Sequence, residues 1–261
     1  MLRQHGIEQH RTLDQAVLPP HSASRVGYCR VADGRAGLAR RSGAGRTGAQ
    51  RPAPSARRFT QALIAALCAG LVWQFLLVVM LVAREQRSLR WSIVRDALWL
   101  RPPSTQSRRG GLLWLWGILP FVAGFFALQL VPLHLPTVAS HDFGAFLGSA
   151  SGTATLHGNW GLFAVIVVMF VFNTVLGEEL LFRGLLLPRM QAAFGRRDSI
   201  VNGLIFGAYH LHQPWSIPTN MLGGLLLAYP SRRFRSAWLG ILIHSTQSVY
   251  LIALMLVLVL H

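Results

Sequence analysis

The stretch WGLFAVIVVMFVFNTVLGEELLFR, residues 160–183, decides the fold. Residues 160–177 carry no charge, and an apolar helix of ~20 residues crosses a hydrocarbon core of about 30 Å. The run then closes on adjacent carboxylates, Glu178 and Glu179, with Arg183 one helical turn further on. Apolar runs of the same kind lie on both sides of it, at Thr60–Ala83, Gly111–Leu133, Ile200–Ile217 and Ala237–Leu260, with a short Gly-rich one at Asn220–Tyr229. The expected fold class is therefore all-α: a polytopic transmembrane helical bundle of about six hydrophobic segments. The runs are long and continuously apolar, whereas a barrel would show short alternating segments.

Composition agrees. Charged residues make up 13% of the 261, against about 25% in a soluble domain, and the mean hydropathy is +0.41. All 25 basic residues are Arg, a usage that points to a GC-rich, bacterial coding bias. The net charge of +16 is read as Arg in cytoplasmic loops facing anionic headgroups, with lipids as partners and no nucleic acid. The loops at 84–110, 189–197 and 231–235 are basic, and those at 134–159 and 211–219 contain no Arg. The positive-inside rule puts the basic loops in the cytoplasm of a multi-pass protein, the expected location being a bacterial inner membrane. Arg84–Arg101 mixes Arg with Leu89, Trp91, Ile93, Val94 and Leu98, which predicts an amphipathic helix at the interface, ended by Pro102 and Pro103.

Three divisions follow. Residues 1–59, with eleven Arg and much Gly, Ser and Pro, are expected to be a disordered tail, or a start placed upstream of the native one. Residues 60–110 hold the first span and the interfacial helix. Residues 111–261 form the core. Cys29 and Cys68 imply neither a disulfide framework nor a metal site.

The chemistry sits in the few polar groups inside apolar runs. An ionisable residue at membrane depth is a functional-site candidate by default. Glu179 and Arg183 share a helix face and can pair, while Glu178, ~100° around the helix, is free for other work. A helix-end ion pair is the alternative role for these residues. His210 lies in the middle of the fourth run, one turn after Phe206, and His244 in the first third of the last. Carboxylates and imidazoles converging from three segments could activate water or bind a metal. His212, ~200° from His210 on a helix, is expected to face elsewhere and to be non-catalytic. Gly203 and Gly207 form a small-xxx-small pattern for close helix packing, and the Gly-rich Asn220–Leu226 is expected to be a flexible wall.

Glu178-Glu179-x-x-x-Arg183, Phe206-x-x-x-His210 and His244-x-x-x-Ser248 resemble, in order and spacing, the three motifs of the CPBP family (E-E-x-x-x-R, F-x-x-x-H and H-x-x-x-N/D). That family, of intramembrane metalloprotease, type II CAAX prenyl protease and Abi-like proteins, is resembled over roughly residues 155–255. The resemblance implies an intramembrane glutamate endopeptidase acting on a membrane-associated or lipid-modified protein or peptide. It implies Glu178 as the base, His210 positioning the water, Glu179 and Arg183 ordering the site, and His244 with position 248 stabilising the oxyanion. This chain departs from the pattern by having Ser248 where the family has Asn or Asp, with Gln247 able to offer an amide nearby.

No cofactor is expected. A metal-dependent hydrolase using the same residues ranks second, since the chain has no H-E-x-x-H, and a non-enzymatic scaffold or bacteriocin-immunity protein is the third reading. The first reading requires the Glu178 carboxylate and the imidazoles to share one solvent void.

Overall fold

The computed structural model describes residues 54–131, 133, 135, 136, 146 and 148–261. The expected tail up to residue 53, and most of the first part (134–149) of the expected 134–159 loop, lie outside them. Among the described residues the chain is helical, with one isolated β-bridge between Ser104 and Arg109 and no strand.

Helix α1 (Pro54–Gln86) is followed by α2 (Trp91–Ala97), α3 (Leu113–Leu128), α4 (Ala150–Leu156) and α5 (Trp160–Val171). The chain continues helically from α5 through Glu178 and Glu179 into α6 (Leu187–Phe194). After a turn come α7 (Asp198–Tyr209), α8 (Ile217–Arg233) and α9 (Ala237–Leu260). Side chains cap two starts: Ser149 Oγ accepts from Gly152 N, and Asn159 Oδ1 from Leu162 N. Gly195, at φ +54°, makes the reversal between α6 and α7, a left-handed conformation that glycine adopts freely.

Three helical stretches are long and apolar enough to cross a membrane: Ala62–Gln86, Trp160–Tyr209, which turns at Gly195, and Ala237–Leu260. Their outward faces are apolar, with Trp73, Val168 and Val249 exposed, as lipid contact requires. Helix α3, with Pro120 inside it, has 16 residues. Helix α7 has 12 and rises only about 18 Å.

Two expectations are corrected and a third is extended. The run Ile200–Ile217 is not one span: its helix ends at Tyr209, so His210 caps a helix end instead of lying mid-span. The short Gly-rich run, read as a half-span or tilted helix, lies within a longer helix of 17 residues, Ile217–Arg233. The amphipathic helix expected over Arg84–Arg101 is reduced to seven residues, because α1 runs on to Gln86 and Arg87 turns the chain at φ +52°.

Helices α7 and α8 approach closely because glycines line their seam. A Cβ on Gly203 would lie 2.7 Å from Leu225 N and 3.0 Å from Met221 O, and one on Gly224 would lie 3.0 Å from Gly203 Cα. The glycines of the expected flexible wall thus serve contact within a regular helix. Since backbone atoms cannot give way, Gly203→Val is expected to cost about 1–3 kcal/mol. Thermal unfolding in detergent should register a clear fall, whereas Gly70→Ala, whose Cβ meets nothing within 4 Å, should not.

Candidate active site

The two glutamates sit where the long helix changes its winding. Phe172–Gly177 and Leu180–Leu186, on either side of them, are π-helical, a widened turn that recurs at functional sites. Gly177 lets α1 pack directly against this turn: a Cβ there would lie 2.7 Å from Phe172 O and 3.3 Å from Leu71 O. Glu178, Glu179 and Arg183 are all buried, Glu179 and Arg183 completely.

Glu179 is the hub. Its Oε1 accepts from Arg183 Nη1 at 3.0 Å and from His244 Nδ1 at 2.9 Å. Arg183 Nη2 donates to Gly224 O at 2.9 Å, and the guanidinium carbon lies 4.2 Å from the Phe206 ring centre. One ion pair therefore ties the glutamate helix to α7, α8 and α9. Gly240, one turn before His244, makes room for it: a Cβ there would lie 2.6 Å from Glu179 Oε2 and 3.0 Å from Arg183 Cγ. Ser231 braces the same place, accepting from Gly240 N at 3.1 Å and donating to Leu227 O.

Glu178, the neighbouring carboxylate, lies beside His210. Glu178 Oε1 and His210 Nε2 are 3.9 Å apart, too far for a direct hydrogen bond and suited to a bridging water. His210 Nδ1 donates to Phe206 O at 2.8 Å. That bond selects the tautomer whose Nε2 is a lone pair. Glu178 Oε2 is buried without a protein partner. Ser248 is buried one turn beyond His244, while Gln247 is half-buried. The structure thus brings Glu178 to His210 and, beside them, Glu179 to Arg183 and His244. Phe206 touches both groups, its ring centre 4.9 Å from that of His210 and 6.2 Å from that of His244.

His212 departs from expectation. Its ring stacks on His210 at 5.6 Å: the helix has ended at Tyr209, so helical angles no longer separate the two positions. Other residues were missed. Gln74 of α1 is buried and donates to the Tyr209 hydroxyl, closing the side of the site next to His210. The signal was present, since Gln74 is the one strongly polar side chain between Ala62 and Ala83 and buried polar groups in such runs are seldom idle. Gly240 and Ser231 gave no such signal.

Among the described residues no three His, Cys, Asp or Glu side chains converge as ligands, and the His244 nitrogen nearest Glu179 already serves a hydrogen bond.

Residues 159–250 match the family model described as Type II CAAX prenyl endopeptidase Rce1-like. The match holds all three polar clusters and leaves out Gln74 of α1. Members of that family are CAAX endopeptidases, so the match, together with the membrane-crossing helices, marks the chain as an enzyme of the membrane-protease class. No curated protein and no solved structure matches it.

Removing one partner of a buried ion pair strands the other. Arg183→Ala is expected to cost about 3–5 kcal/mol, read as a large drop in unfolding temperature. Arg183→Lys should recover only part of it, because an ammonium cannot hold Glu179 and Gly224 O with a planar fork.

Proposed function

We propose that the chain hydrolyses a peptide bond of a membrane-associated or lipid-modified protein by glutamate-type chemistry, with Glu178 as general base. The 3.9 Å gap between Glu178 Oε1 and His210 Nε2 is the observation that supports this reading. Both atoms are acceptors, and one water can donate a hydrogen to each. Such a water is held with its oxygen lone pairs free to attack. As the C–O bond forms, its proton passes to Glu178, and Glu178 then protonates the departing amine as the C–N bond breaks.

Glu179 and Arg183 act as positioning residues. Glu179 accepts the Nδ1–H of His244, so His244 Nε2 can donate to an oxyanion only while the ring holds both protons. Ser248, one turn further on, is the second oxyanion donor in place of the Asn or Asp of the resembled motif. A hydroxyl offers one hydrogen bond and a shorter reach.

Glu178→Gln keeps shape and hydrogen bonding but removes the base. It and His210→Ala are expected to lower cleavage by about 10²–10⁴-fold with normal membrane insertion. The precursor that accumulates both in a Glu178→Ala strain and in a deletion strain identifies the substrate and supplies the assay. Retained function in Glu178→Gln would instead favour a scaffold. Loss of activity in chelator, restored by added metal, would favour the metal hydrolase. Ser248→Ala should reduce turnover, and Ser248→Asn should restore or exceed it.

A further inference from the structure

A polar cavity lies outside the glutamate site. It measures about 590 Å³ and is lined by residues 104–107 together with Arg232, Arg233 and Arg235. Every lining side chain is a hydroxyl, an amide or a guanidinium, and none is acidic. Arg232 is held by Asp198, its Nε donating to both carboxylate oxygens at 2.6 and 2.7 Å. Among the described residues Arg233 and Arg235 have no carboxylate in ion-pair range, so their charge is unspent.

The bowl is preformed. Thr105 N donates to Arg108 O at 2.8 Å, and Gly110 N to Pro103 O at 2.8 Å. Thr105 Oγ1 accepts from Arg108 N at 3.1 Å. Ser104 N donates to Phe234 O at 2.8 Å and Ser236 Oγ to Arg101 O at 2.6 Å, which stitches this hairpin to the turn between α8 and α9. Arg235 sits in that turn at φ +51°, a conformation that side chains disfavour and that persists where the surroundings impose it.

We infer that this bowl binds the phosphate of an anionic lipid headgroup. Guanidinium forks with flanking hydroxyls match phosphate oxygens. The lipid source follows from what borders the bowl. Helix α8 ends and α9 begins beside it, and α3 starts a few residues after the hairpin. The N-cap and first turn of α3 expose Leu112, Leu115 and Trp116, at 64%, 53% and 70%. An apolar rim with Trp marks the level where acyl chains meet headgroups.

The test uses the full chain in detergent, following thermal unfolding with added phosphatidylglycerol, phosphatidylcholine or inorganic phosphate. Phosphatidylglycerol is expected to raise the unfolding temperature, and phosphatidylcholine is not. The shift should fall at least threefold in Arg233→Gln/Arg235→Gln and in Gln106→Glu, which sets a carboxylate in the bowl. It should persist in Arg196→Gln/Arg197→Gln and in Glu178→Ala, which separates it from the protease reading. An equal shift in the bowl variants and the unaltered chain would overturn the inference, as would inorganic phosphate reproducing the whole effect.

Discussion

One carboxylate oxygen, Glu179 Oε1, accepts both a guanidinium and an imidazole inside a protein interior that excludes solvent. Burying an ion there is costly unless it is paired and hydrogen-bonded, so every element around it is constrained to arrive in register. Arg183 answers the charge, Gly224 O takes up the second guanidinium nitrogen, and Phe206 covers its face. His244 brings in the last helix. Glu178 stands next to Glu179 on a helix that the Glu179 network immobilises. Glu179 holds the frame through Oε1, and each of the two glutamates keeps its Oε2 buried without a protein partner.

Glycine makes that convergence possible. Gly177, Gly203, Gly224 and Gly240 each stand where a Cβ would strike backbone or the ion pair itself. Their absent side chains let helices approach closely enough for short polar side chains to meet. The widened turns flanking the glutamates complement this by altering where successive side chains leave the helix. The ending of α7 at Tyr209 does the same for His210: a histidine at a helix end can turn its Nδ1 back to Phe206 O and present Nε2 to Glu178.

The apolar runs, the helical class and the three polar clusters were legible in the amino-acid order. Apolar length sets a helix's fate in lipid, and a charge within such a run stands out against it. The i,i+4 pairing of Glu179 with Arg183 was readable for the same local reason. Gln74 could have been read too, as a polar group in an otherwise apolar run.

What local pattern leaves open is decided by contact between distant segments. Pro214, two residues after His212, signals a helix end nearby, but the stacking of His212 on His210 emerged only from the fold. Gly240 looks like any helical glycine until Glu179 is found against it. The sequence alone determined that buried charge exists in this protein, because hydropathy is a property of a segment by itself. Which charge meets which partner belongs to the tertiary structure, because pairing energy depends on separations of a few ångströms between residues up to 65 positions apart.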